Sequence, residues 1–210
     1  MFSVIISILI AGTAATDIIY DRMGRKAAVY VFKPLTIALA ALLAAIGPRE
    51  AAVSYRFAVV SGLVCSLAGD TFLMLPRKRV LPGLLSFLLA HLSYIAAFLC
   101  SHTPNPSIYL VIPFLVYFSI MYSVLFTKLG KMKVPVFIYQ LVITAMAWLA
   151  AERFGEVGTA KTLFALIGAA LFVISDSIWG INRFVHTHRN AQPLILTTYF
   201  CAQWLIALSV

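Results

Sequence analysis

The sequence predicts an all-α fold, with residues 1–210 forming a single transmembrane domain, a polytopic bundle of eight helices. Three observations predict it. Of the 210 residues, 62% are hydrophobic and only 11% are charged, where a soluble domain carries roughly a quarter charged residues and could not hide so much apolar surface. The apolar residues fall into eight runs, each of roughly the 17–20 residues needed to cross a hydrocarbon core of about 30 Å. The basic residues concentrate in alternate loops, as the positive-inside rule expects of a multi-pass protein.

The runs are Phe2–Tyr20, Tyr30–Ile46, Phe57–Leu75, Leu81–Cys100, Ile108–Phe126, Val134–Ala151, Thr162–Ile181 and Ala191–Val210. Turn-forming residues separate them: Met23-Gly24, Gly47-Pro48, Pro76 before a basic cluster, Thr103-Pro-Asn-Pro106, Gly130, Gly155 with Gly158, and Thr187–Asn190. The N-terminus has no basic n-region, so the first run is expected to be a retained span and not a cleaved signal. Cys65, Cys100 and Cys201 lie in or at the ends of apolar runs without zinc-like spacing, which makes them packing residues.

The net charge of +9 could suggest nucleic acid. Its distribution argues for topology instead, and no nucleic-acid partner is expected. Loops one, three, five and seven hold eleven Lys and Arg, among them Arg22, Arg25, Lys26, Arg183 and Arg189. The even loops hold four: Arg49, Arg56, Arg153 and Lys161. Odd loops then face the cytoplasm, and both termini lie outside it. The expected location is a bacterial inner membrane, with the lipid bilayer as solvent.

Two carboxylates stand inside spans. Asp70 lies in Leu67-Ala-Gly-Asp-Thr-Phe-Leu-Met-Leu75 and Asp176 in Phe172-Val-Ile-Ser-Asp-Ser-Ile-Trp179. Each follows a small residue and precedes a hydroxyl residue. Intramembrane acids are expensive and usually face a polar interior where they act. Burial favours the neutral form of a carboxyl, and a second carboxyl nearby favours it further. One Asp can then serve as general acid while the other, ionised, serves as base or electrostatic stabiliser. A structural pair that locks helices is the competing reading.

Other polar residues cluster at similar depth, on the cytoplasmic side or near mid-membrane. Lys33, at the start of span two, either orients a carboxylate or meets a lipid phosphate; the alternative is that it snorkels to the interface. Pro34 beside it is expected in the first helical turn, where proline costs little. His91 sits on an aromatic face with Phe87, Tyr94 and Phe98. Tyr199 and Gln203 share a face of span eight, and Tyr122, Tyr139 and Gln140 add further polar groups. Asn182 and Arg183 end span seven below Asp176 and could reach a headgroup. The outer half of the bundle shows little comparable polarity. No cofactor is expected. No metal is expected either, because zinc needs at least three placed ligands and only His91, Asp70 and Asp176 are candidates.

The chain also hints at duplication. Lys33-Pro34 pairs with Lys133-Val-Pro135, and Gly69-Asp70-Thr71 with Ser175-Asp176-Ser177. That pattern fits two parallel four-helix halves related by an axis along the membrane normal.

With these residues in place, the sequence resembles the lysoplasmalogenase (YhhN-type) membrane family. The resemblance rests on Lys33-Pro34-Leu-Thr36, Gly69-Asp70 with Phe72-Leu-Met74, Ala90-His91 with Tyr94, Leu171-Phe172 through Ser175-Asp176, Arg183-Phe184, and Thr198-Tyr199 with Gln203 and Leu205-Ile206. One departure is Trp179-Gly180, where smaller aliphatic residues are expected. The resemblance implies a membrane-embedded ether hydrolase acting on a lysophospholipid. It would cleave the vinyl ether bond of lysoplasmalogen to a fatty aldehyde and a glycerophospho-ethanolamine or -choline. Asp70 and Asp176 would be catalytic, with Lys33, His91, Tyr94, Tyr122, Tyr139, Asn182, Arg183, Tyr199 and Gln203 around the substrate. The rival class is a proton-coupled transporter or lipid-binding protein that uses the same Asp pair as a relay.

Overall fold

A computed structural model describes residues 2–47, 51–75, 80–100 and 108–210. The loop residues expected at Pro48, Arg49, 76–79 and 103–106 lie outside them. Among the described residues, eight helices are long and apolar enough to cross a membrane. They are α1 (Phe2–Arg22), α2 (Lys26–Ile46), α3 (Val53–Met74), α4 (Val80–Cys100), α5 (Ile108–Phe126), α6 (Lys133–Val157), α7 (Ala160–Gly180) and α8 (Ala191–Leu208). A 3-10 turn (Gly130–Met132) precedes α6, and a π-helical turn (Ile181–Val185) extends α7. The all-α, eight-span expectation holds.

Several boundaries differ, each for a local reason. The second helix starts at Lys26 and not near Tyr30, so Pro34 lies in its interior. A proline there has no N–H to donate to the carbonyl one turn back, so one rung of the helical hydrogen-bond ladder is missing. Lys33 is consequently two turns deep, about 10 Å along the axis at 1.5 Å per residue. The sixth helix runs on past Ala151 and carries Arg153 and Gly155, which the sequence reading placed in a loop. It stops at Gly158, whose φ of 62° is left-handed, a conformation glycine adopts at no steric cost. The Thr159 hydroxyl then accepts from the Thr162 N–H at 3.3 Å and begins α7 with a capping box.

Packing repeats with a shift of four helices. The most extensive pairings are α3 on α4 and α7 on α8; α2 on α3 corresponds to α6 on α7, and α1 on α2 to α5 on α6. The two sets join through α4 against α6 and α2 against α8. The close crossings are made by glycines in corresponding places. A Cβ on Gly62 would enter the ring of Tyr94 on α4, and one on Gly168 would come within 3.0 Å of the Ala202 carbonyl oxygen on α8. Without a hydrophobic drive between lipid-solvated helices, such small residues let backbones approach and gain dispersion contact. The outer corner departs from the repeat, because α1 also packs on α8.

The end away from the odd loops is more polar than the sequence reading expected. Arg153 Nη1 donates to the Tyr55 hydroxyl at 2.9 Å, and Tyr55 shares a 2.7 Å hydrogen bond with Ser209. Glu152 accepts from the Trp148 indole N–H at 3.0 Å. These partners let helical residues near the interface carry charge while buried.

Candidate active site

The first carboxylate belongs to Asp70, four residues before the end of α3. Its side chain is 2% exposed. Lys33 Nζ from α2 lies 2.7 Å from Oδ1, and the Tyr199 hydroxyl from α8 donates to Oδ2 at 2.7 Å. Both oxygens are therefore engaged by donors, one of them cationic. The Lys33 ammonium also lies 5.7 Å from the centre of the Tyr199 ring. Phe87, from the facing α4, closes on Gly69 so tightly that a Cβ there would lie 2.7 Å from the ring. Residue 69 is small so that this ring can seal Asp70.

The second carboxylate is held in a corresponding way. Asp176 Oδ2 accepts a short hydrogen bond from the Tyr139 hydroxyl on α6. His91 Nε2 on α4 lies 3.0 Å from the same hydroxyl and 3.7 Å from Oδ2. The Tyr139 hydrogen is directed at Asp176, so the His91 N–H donates to the Tyr139 oxygen. The His91 ring is sealed edge-on against Phe172 at 4.6 Å. Unlike Asp70, the Asp176 side chain is 22% exposed.

Each Asp thus takes one partner from the helix before it and one from the last helix of the other half. Lys33 and Tyr199 serve Asp70; Tyr139 and His91 serve Asp176. With Asp70 and Asp176 as the fixed pair, the counterpart of Lys33 is Tyr139. Lys133, paired with Lys33 by the sequence reading, instead sits at the start of α6 with its ammonium 4.0 Å from the centre of the Phe126 ring.

Both acids line one cavity of about 740 Å³, within the size range of small-molecule sites. Tyr139, Tyr199 and Ser175 share its polar floor, and Leu84, Phe87 and Leu196 supply apolar wall. Its mouth is formed by Asp21, Lys26, Arg183 and Gln192, at the end of the bundle that carries loops one and seven. Ser175 is steadied by a 3.0 Å hydrogen bond to the Ile195 carbonyl on α8. Trp179, where the sequence reading expected a smaller aliphatic residue, also lines the wall.

Of the residues singled out in the sequence, the structure brings Asp70, Asp176, Lys33, Tyr139, Tyr199 and Arg183 to this cavity. His91 stands one layer behind, reaching Asp176 through Tyr139. Tyr94 and Gln203 form a fully buried clamp between α4 and α8, with the Tyr94 hydroxyl donating to Gln203 Oε1 at 2.7 Å. Tyr122 packs in an aromatic group with Phe118, Phe126 and Phe137. Asn182 Oδ1 accepts from the His188 N–H at 2.7 Å and shapes the loop before α8. None of these last four residues lines the cavity. Among the described residues, no group of three or more His, Cys, Asp or Glu is placed to hold a metal ion.

The sequence reading missed two acids. Asp17 and Asp21 lie on α1, Asp17 fully buried and Asp21 at the cavity mouth. The signal was available, since Asp17 interrupts the first apolar run.

Comparison with known proteins agrees with this architecture. A family model described as "YhhN family" matches residues 28–210. The membrane protein YhhN of Escherichia coli O157:H7, itself described as uncharacterized, is 33% identical over 186 residues, 86% of each chain. Lysoplasmalogenase TMEM86B of Homo sapiens is 34% identical over 160 residues, covering 74% of this chain and 64% of that one. Lysoplasmalogenase TMEM86A of Bos taurus is 32% identical over 153 residues, covering 70% and 62%. No solved structure matches. Eight apolar helices and membrane-protein relatives together make the chain a multi-pass integral membrane protein.

Proposed function

Because this chain belongs to the YhhN family, we propose that it is a membrane-embedded lysoplasmalogenase, hydrolysing the vinyl ether bond of a lysophospholipid by Asp-pair acid–base catalysis. The relatives named lysoplasmalogenase support the activity. The observation that carries the mechanism is the unequal setting of the two acids. Asp70 has both oxygens engaged, one by an ammonium at 2.7 Å. Asp176 has Oδ2 held by Tyr139, while its side chain keeps 22% exposure. Asp70 is the ionised member, and Asp176 presents Oδ1 to the substrate as the acid.

The cycle then balances. Asp176 delivers its proton to the outer carbon of the vinyl ether, leaving an oxocarbenium ion whose charge faces Asp70. Asp70 takes a proton from water as the hydroxide adds to the cationic carbon, giving a hemiacetal. Asp70 next returns that proton to the ether oxygen as the carbon–oxygen bond breaks, and Asp176 removes the hemiacetal hydroxyl proton. Aldehyde and alcohol leave, and both acids are reset. Negative charge fixed beside a developing cation is the kind of preorganised stabilisation that gives large rate effects.

The headgroup phosphate meets Lys26 and Arg183 at the mouth, and the alkenyl chain passes along the apolar wall. The mouth lies beside the basic loops, and the positive-inside rule supports a mouth at the cytoplasmic face with both termini outside.

Purified protein in detergent, given a lysoplasmalogen, should release free fatty aldehyde, and Asp70→Asn and Asp176→Asn proteins that fold should not. Hydrolysis at the wild-type rate by either variant would sink the mechanism. No aldehyde, together with uptake of unaltered lipid into sealed vesicles, would favour a carrier.

A further inference from the structure

The first helix holds a carboxylate that the cycle above does not use. Asp17 is 0% exposed. Neither of its oxygens has a hydrogen-bond partner among the described residues. It shares the buried stripe of α1 with Ile6 and Ile10, so it faces the bundle and not lipid. A carboxylate sealed in that way is expensive unless a charge opposes it.

The helix register identifies the charge. The Thr36 hydroxyl on α2 donates to the Thr13 hydroxyl on α1 at 3.0 Å, and Tyr20 stacks on Phe32 with ring centres 5.8 Å apart. Asp17 lies between Thr13 and Tyr20, and Lys33 lies between Phe32 and Thr36. The two therefore stand at one level of the antiparallel α1–α2 seam. Lys33 is the cation at that level of the seam, and it already touches Asp70 at 2.7 Å.

We infer that Asp17 is a positioning residue, a second counter-charge that holds the Lys33 ammonium between α1 and α3. The need for it arises in the proposed cycle, on which the kinetic part of this inference rests. When Asp70 takes the proton from water it loses its charge, and the Lys33 ammonium would be left without its direct partner. Asp17 supplies the missing charge for that interval. It takes no proton itself; the proton from water stays on Asp70 until it passes to the ether oxygen.

The test has a spectroscopic arm and a kinetic arm, both on the full chain in detergent. With ¹⁵N-labelled lysine, the Nζ resonance absent from a Lys33→Met protein belongs to Lys33. That resonance should move in Asp17→Asn and also in Asp17→Ser, which guards against one variant failing to fold. A resonance at its wild-type position in the folded variants overturns the inference. In the kinetic arm, Asp17→Asn should lower kcat about tenfold, equivalent to about 1.4 kcal/mol at the barrier, while KM stays within about twofold. Added to Lys33→Met, it should change kcat no further. An unchanged kcat, or an equal loss in both backgrounds, also overturns the inference. If wild-type protein makes no aldehyde, the proposed reaction fails, and the Nζ resonance still decides whether Asp17 opposes Lys33.

Discussion

Replacing Lys33 by Met isolates the energetic core of the site. Methionine keeps most of the apolar stem and removes the ammonium 2.7 Å from Asp70 Oδ1. Asp70, with 2% of its side chain exposed, retains the Tyr199 hydroxyl but loses its direct counter-charge. Breaking one side of a buried ion pair costs about 3–5 kcal/mol, because the remaining charge is stranded in low dielectric. The Lys33 side chain keeps 14% exposure, so water reaches its end and the lower figure, about 3 kcal/mol, applies. Lys33→Met combined with Asp70→Asn no longer strands a charge at Asp70, and the introduced amide oxygen still accepts from Tyr199. That double variant should recover about 2 kcal/mol of the loss caused by Lys33→Met, because the charge at Asp70 is no longer stranded. Reversible unfolding by dodecyl sulfate in mixed micelles, followed by tryptophan fluorescence, measures both. A double variant as unstable as Lys33→Met alone would refute the stranded-charge argument.

Tyr139→Phe removes the hydrogen bond to Asp176 and the acceptor for His91, and a bond to a carboxylate is worth about 1.5–3 kcal/mol. It should lower kcat by about ten- to a hundredfold, and a rate assay at saturating lipid checks this. Gly168→Ala places a Cβ 3.0 Å from the Ala202 carbonyl oxygen, so it should destabilise by about 1–3 kcal/mol through overpacking. Gly155→Ala, with nothing within 4 Å of the new atom, should instead stabilise, by about 0.5–1 kcal/mol from helix propensity; both follow from the same unfolding titration. A strong chelator should leave the aldehyde release rate unchanged, since the proposed cycle passes its protons between carboxyls and water.

The fold was legible because a bilayer imposes a length and a composition on each span, and this chain meets both eight times. The two acids were legible for the same reason, since a carboxylate in an apolar run stands out. Which residues touch those acids was less legible. Hydropathy gives depth but not azimuth, so Tyr199 and Gln203 stood out together by their mid-depth while Tyr94 and Tyr122 could not be told apart. The packing separates them, with Tyr199 bonded to Asp70, Tyr94 clamped to Gln203 and Tyr122 stacked among phenylalanines. Lys33 was placed too shallow because the apolar run begins at Tyr30, whereas α2 begins at Lys26 and tolerates Pro34 in its interior. The repeat was half legible. The offset of the two Asp is the structural one, but the match of Lys33 to Lys133 followed residue identity, while the fold puts a tyrosine in the lysine's place. Arg153 was read as loop because it is charged, and no sequence rule announced that Tyr55, on α3, would receive it.

The central claim is that carbon is protonated at one end of the vinyl ether while water attacks the other. Hydrolysis of a lysoplasmalogen in heavy water by the purified protein, with the aldehyde reduced to its alcohol as it forms, tests that most directly. The account predicts one deuterium on the carbon next to the former carbonyl, at a rate abolished in Asp176→Asn. Product without that deuterium, or with the same deuterium formed as fast by Asp176→Asn, would contradict it.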